Sequence, residues 1–415
     1  MSPQGGSMTV RRPFRAVASV AALVVLAALA LAALPGCQGG GKKLLHVGEF
    51  GSLTGGQANF GISTKEGVQM AMDEQNAAGG IAGVPLEVTV YDDQSKPEEA
   101  LTAVQKLVNA DGVIAVLGEV ASSNSLAGAP VCQRAGVPMI SPSSTNPKVT
   151  EVGDCIFRVC FIDPFQGRVM ARYAYETLKL RKVAVLKDLK SDYSVGLTEF
   201  FTRAFTEMGG TVPVIQTYSK DDQDFRAQLT DIKAKGPDGV FVPGYYTEVG
   251  LIVRQAREQG ITAPLFGGDG WESEQLTRIG GPALEGCYFS THQSMENPDP
   301  VVQNFVKGYR AKWNKMPDAL AALGYDAAKL LLGGLKQLSE QDPQGFQALQ
   351  GPATGANREG RVAAQRKLRD LIAATKDFAG VTGKIHLDEN RNAVKSAVVL
   401  KIQDGKFTYA GTVEP

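Results

Sequence analysis

Leu45-His46-Val47-Gly48-Glu49-Phe50 is followed by the turn Gly51-Ser52-Leu53-Thr54-Gly55-Gly56 and an amphipathic stretch from Gly61 to Ala77, closed by Gly79-Gly80. A second apolar run, Leu86 to Tyr91, comes next. Strand, turn, helix and strand in that order are the start of a βαβ unit. The rhythm continues with a helix from Pro97 to Asn109, whose proline suits a first helical turn, a β-rich run Val113 to Leu117, a helix Ser122 to Ala135 and a strand starting at Pro138. It resumes with strands Val183 to Leu186, Val212 to Thr217 and Gly239 to Val242. Helices Ser194 to Met208, Phe225 to Lys235 and Glu248 to Gln259 alternate with them. Short, continuously apolar strands between helices predict parallel sheets covered on both faces. Two such series, each about 120 residues, predict an α/β protein with two doubly wound lobes.

The tail is expected to differ. Val301 to Trp313, Ala319 to Leu338 and Ala364 to Phe378 read as helices, with a polar connector from Gln344 to Arg361. Thr382 to Leu387, Ala397 to Ile402 and Phe407 to Ala410 read as strands, and Asp404-Gly405 between the last two is a hairpin signal. These pieces can complete both lobes, so the chain is expected to cross between them more than twice.

The first 36 residues stand apart. Arg11, Arg12 and Arg15 precede the apolar run Ala16 to Leu34, the charge and hydrophobicity pattern of an export signal. The run is also near the length of a membrane span, so an uncleaved anchor and plain secretion are the competing readings. Leu34-Pro35-Gly36-Cys37, followed by Gln38-Gly39-Gly40-Gly41, resembles the lipobox of bacterial lipoproteins. That resemblance implies removal of residues 1–36, lipid on Cys37, and a flexible tether over 37–43. Without the three leader arginines the remaining chain carries 40 basic against 43 acidic residues, a net charge of −3. Nothing in that balance favours nucleic acid as a partner.

Cys132, Cys155, Cys160 and Cys287 would remain, an even number that permits one or two disulfides in an oxidising compartment. A Cys132–Cys155 bridge is one candidate, whereas Cys160 and Cys287 sit in apolar runs that suit buried thiols. No P-loop, GxSxG elbow or HExxH is present, and His46, His292 and His386 lie far apart without motif context. The chain is therefore expected not to be an enzyme and to need no cofactor or metal.

Chemistry is then sought at the turns after strands, where helix N-termini offer unpaired N–H groups. Ala121-Ser122-Ser123-Asn124-Ser125 and Ser141-Pro142-Ser143-Ser144-Thr145-Asn146-Pro147 supply neutral donors that suit a carboxylate. Helix capping is the plain alternative for either turn. In the second series, Gly244-Tyr245-Tyr246-Thr247-Glu248 and Gly267-Gly268-Asp269-Gly270-Trp271 each bring an acid and aromatics to a strand end. Glu248 also suits a first-turn helix position, while Asp269, flanked by glycines, is the stronger candidate partner for an ammonium. Donors on one lobe and an acid on the other make a receptacle for a zwitterion.

Asn76-Ala77-Ala78-Gly79-Gly80-Ile81, Tyr91-Asp92-Asp93, Ser141 to Pro147 and Arg254-Gln255-Ala256-Arg257 together resemble the branched-chain amino-acid binding proteins of ABC importers, the type I periplasmic binding fold. The resemblance runs from about Lys43 to Thr412. It implies two lobes joined by three hinge crossovers: 44–162 with 293–379, and 163–292 with 380–415. By position it implies that Ser122 and Thr145 hold the ligand carboxylate, with Ser143 and Ser144 beside them. It also implies that Asp269 pairs with the α-ammonium and that Phe60, Tyr193, Tyr245 and Tyr325 wall the pocket, with Trp271 as a further wall. The expected partners are a neutral amino acid, the permease subunits of the importer, and the membrane through Cys37, the protein itself being a monomer. A receptor or sensor for amides, urea or another small ligand is the alternative within the same fold.

Overall fold

The structure, a computed structural model, describes residues 1–9, 43–351 and 357–415. Residues 1–42 and 43–415 separate into two units, and residues 1–9 of the first carry no regular secondary structure. The apolar run Ala16 to Leu34 and Cys37 lie outside the described residues. Among the described residues, no helix is long and apolar enough to cross a membrane.

Within the second unit, β1 (Leu45–Gly51), β2 (Leu86–Asp92), β3 (Val116–Leu117), β4 (Met139–Ser141) and β5 (Ile156–Arg158) form an all-parallel sheet in the order β2-β1-β3-β4-β5. Leu45, Val47 and Phe50 on β1 are buried, and β3 to β5 are buried throughout, as strands covered by helices on both faces must be. A second sheet contains β6 (Val183–Asp188), β7 (Ile215–Tyr218), β8 (Gly239–Phe241), β9 (Leu265–Gly267) and β10 (Tyr288–Thr291) in the order β7-β6-β8-β9-β10, all parallel. The two sheets therefore repeat one topology. In each, the strand order reverses beside the first strand, which opens a crevice at the carboxyl ends of its neighbours.

After β10 the chain returns to the first sheet. Helix Ala319–Gln341 lies against helix Ala58–Ala77 with glycines at the crossing. A Cβ on Gly67 would stand 1.9 Å from the Ala321 carbonyl oxygen, and one on Gly324 would stand 2.3 Å from that of Thr64. This close approach brings Phe60 and Leu320 to the same end of the sheet.

The tail departs from expectation in three places. The connector Gln344 to Arg361 contains a short helix, Pro343–Ala348, capped by the Asp342 side chain, and the next helix starts at Arg358. β11 (Phe378–Gly380), β12 (Gly383–Leu387) and β13 (Ala393–Val394) form a small antiparallel sheet of their own. Arg391 donates to the carbonyls of Ile156 and Thr150, so this piece leans on the first sheet's side. The chain joins the second sheet only with β14 (Ala397–Gln403) and β15 (Lys406–Val413), which add antiparallel strands next to β10. Their hairpin turns on Asp404 and Gly405 with φ of 52° and 70°, the left-handed pair that such a tight turn requires.

Cys132, Cys155, Cys160 and Cys287 are all free and buried, so the expected Cys132–Cys155 bridge is not formed. The first two pack as small apolar side chains in the cluster around Phe50, Val104 and Met139.

Candidate functional site

The two hydroxyl-rich turns follow β3 and β4 and are laced together. Ser122 opens helix Ser122–Ala135, and its Oγ accepts from the Asn146 N–H at 3.2 Å. Ser143 Oγ donates to the Val120 carbonyl at 3.2 Å. Ser144 donates instead to the Glu119 carbonyl at 2.9 Å and meets Ser125 Oγ at 2.8 Å, which turns it into the framework.

Beneath these turns lies a fully buried carboxyl pair. The Ser52 hydroxyl, just past β1, stands 2.9 Å from both Asp93 Oδ1 and Glu119 Oε1. Burial, followed by the charge of Asp93, holds the Glu119 carboxyl well above its ordinary range. Ser52 thus joins the two carboxyls in one buried hydrogen-bond network at the carboxyl end of the first sheet.

From the second sheet, Tyr193 lies in the first turn of helix Asp192–Glu207, and its hydroxyl accepts from the Gly270 N–H at 3.2 Å. Tyr245 stacks on Tyr193 with centroids 5.2 Å apart. Burial, then Glu119, Asp269 and Asp163, push the Tyr245 phenol well above its ordinary value, so it is a neutral hydroxyl. Phe60, from the first lobe, meets Tyr245 edge-on at 6.1 Å. Asp269 begins the turn after β9 and is 8% exposed.

Phe60, Val120, Ser122, Ser143, Thr145, Tyr193, Tyr245, Asp269, Gly270 and Leu320 line one cleft between the lobes. The cavity they enclose is about 10 Å³, room for about one water, so the two walls stand nearly closed on each other. The cleft has hydroxyls on one wall, a carboxylate on the other and aromatic or aliphatic faces between. It suits a ligand with one anionic end, one cationic end and an apolar side.

Four expected residues stand elsewhere. Tyr325 faces away from the cleft: its hydroxyl donates to Glu74 Oε2 at 2.7 Å and its ring rests on Phe305. The residue of that helix that reaches the cleft is Leu320, five positions earlier and so about 140° round the axis. Trp271 is fully buried with Nε1 donating to the Val242 carbonyl at 2.8 Å, because the tight turn after Asp269 folds it back under the sheet. Glu248 accepts from the Asp221 N–H at 3.1 Å and orders that loop. Ser144 is the fourth, in the framework described above. Val120, Gly270 and Leu320 line the cleft without having been expected; Gly270 lies in a turn already singled out, and Val120 immediately precedes the turn Ala121 to Ser125.

Residues 45–406 match the family described as periplasmic binding protein. A leucine binding protein from Thermotoga maritima superposes with a TM-score of 0.81 at 38% identity, covering 90% of this chain and 99% of that one. A branched-chain amino acid transporter substrate binding protein from Streptococcus pneumoniae, in complex with isoleucine, gives 0.80 at 34%, covering 90% and 100%. The leucine-, isoleucine-, valine-, threonine- and alanine-binding protein of Pseudomonas aeruginosa is 33% identical over 71% of this chain and 78% of its own. With two repeated parallel sheets, a cleft at their carboxyl ends and a match spanning almost all of the second unit, the chain belongs to the periplasmic binding protein family.

Proposed function

We propose that this protein is a receptor, not an enzyme, that captures a neutral, aliphatic α-amino acid in the cleft and hands it to the permease of an ABC importer. The observation that carries this reading is the opposition of Ser122 and Thr145 on one wall to Asp269 on the other. In this reading the hydroxyls and helix N-terminus take the carboxylate, and Asp269 takes the ammonium. Phe60, Val120, Leu320, Tyr193 and Tyr245 enclose the side chain. A ligand that touches both lobes stabilises the closed form by its differential affinity for it. The segments 44–162 with 293–379 and 163–292 with 380–415 are the proposed lobes, the stretch 380–396 being the last passage between them, before β14 joins the second sheet. Export and lipid attachment at Cys37 rest on the leader and Leu34 to Cys37. The protein acts as a monomer in this account.

Titration calorimetry of Asp269→Ala tests it. The account predicts a loss of about 2–5 kcal/mol in amino-acid binding, as for removal of one partner of a buried charge pair. Unchanged affinity would remove Asp269 from the site.

A further inference from the structure

Asp269 is the one acid among the residues lining the cleft, and both its oxygens are engaged from behind. Gln166 Nε2 donates to Oδ1 at 2.7 Å, and His292 Nε2 stands 3.0 Å from Oδ2. Both side chains are buried, and both come from places where the chain passes between the sheets. Gln166 lies in helix Asp163–Arg172, after β5, and His292 immediately follows β10. The His292 ring is stacked at 3.9 Å on Phe161, from the first of those passages, and this fixes its orientation.

Neither donor compensates the negative charge. Glutamine is neutral, and burial pushes the His292 imidazole below its ordinary value. Its contact with Asp269 assigns the proton to Nε2, and Nδ1 has no partner. Among the described residues, no lysine or arginine pairs with Asp269. A carboxylate accepts at about four positions, so two donors leave acceptor capacity for a ligand.

We propose that Gln166 and His292 are positioning residues that hold the Asp269 carboxylate aimed at the ligand while leaving its charge for the ligand to neutralise. They thereby set the preference for α-amino acids over the matching α-hydroxy acids. The inference rests on the amino-acid reading above. A cation at either position would satisfy Asp269 in advance and make the ligand ammonium redundant; two neutral donors fix the carboxylate without doing so.

Titration of the intact protein with L-leucine and with 2-hydroxy-4-methylpentanoate tests this in wild type, Gln166→Leu, His292→Leu and the donor-keeping His292→Gln. Each leucine variant is expected to weaken L-leucine by about 10- to 100-fold, the worth of a hydrogen bond to a charged group. The hydroxy acid should lose far less, and His292→Gln should restore most of the preference. Weakening of both ligands by one factor would overturn the positioning role. Failure of the wild type to bind leucine, isoleucine, valine, alanine or threonine would instead overturn the amino-acid reading. Should a leucine variant not fold, the pH profile of His292→Gln decides. The charged groups facing the ring are Asp269 and Lys395. Protonation of His292 gives Asp269 a cation of its own, so wild-type affinity is expected to begin falling at a higher pH than that of His292→Gln. Identical acid limbs would overturn the proposal.

Discussion

The Ser123 hydroxyl and Asp192 clasp each other across the mouth of the cleft. Ser123 Oγ donates to Asp192 Oδ2 at 2.8 Å, and the Asp192 N–H donates back to Ser123 Oγ at 3.0 Å. Each residue sits in the first turn of a helix, one following β3 and one following β6, so the pair joins the two sheets directly. Asn146 Nδ2 adds a third bond to the Asp192 carbonyl at 2.7 Å, and Thr247 reaches the Gly56 carbonyl at 2.7 Å. These bonds exist only while the lobes are together.

Ser123→Ala removes the clasp without touching the cleft lining. Its loss is expected to favour the open form by about 0.5–1.5 kcal/mol, a typical net hydrogen bond, and to weaken ligand by the corresponding 2- to 10-fold. Calorimetry measures it, and a larger radius of gyration for the free variant in solution scattering should accompany it.

Ser122→Ala combined with Thr145→Ala separates the carboxylate role from packing. The double variant is expected to weaken an amino acid by about 1.5–3 kcal/mol, the range for hydrogen bonds to charged groups, and its amide by less. Paired titrations with acid and amide check this; equal losses would place the carboxylate elsewhere.

Leu320 and Tyr325 share a helix and give opposite expectations. Leu320→Ala should cost aliphatic ligands about 1–2 kcal/mol of binding through lost apolar contact. Tyr325→Phe should leave binding unchanged, and affect stability only through its bond to Glu74.

Glu49 on β1 is buried, with Oε2 unpartnered, and burial raises its carboxyl to about 8 against the partial help of Lys65. In the unfolded chain the group ionises near its ordinary value, so between about 4.5 and about 8 the folded state binds more protons. Stability from this group is therefore greatest at acid pH and falls as pH rises through that window. Glu49→Gln should remove the fall and gain on the order of a few kcal/mol at pH 8 relative to pH 5. Denaturant melts of both proteins at the two pH values measure the difference.

The alternation of strand and helix was legible because strands buried on both faces must be continuously apolar, as Val183 to Leu186 and Gly239 to Val242 are. Ser122, Ser143, Thr145 and Asp269 were legible because they occupy turns after strands. The phase of a long apolar helix was not: Leu320 and Tyr325 both suit a wall, and only packing against Ala58–Ala77 selects between them. Gln166 and His292 gave no signal, since each is remote in sequence from the acid it holds. The strands β11 to β13 are short and carry exposed positions, and a run so divided has no period from which to read its partner.

The most direct measurement is a thermal-shift screen of the protein against the amino acids, their amides and urea. A ligand that binds only the folded state at 100-fold excess over Kd adds about 2.7 kcal/mol of stability. The account predicts a clear rise in Tm with one or more aliphatic L-amino acids and a smaller one with their amides. A rise confined to amides or urea would contradict it, because an amino-acid amide brings no carboxylate to Ser122 and Thr145 and urea brings neither charge.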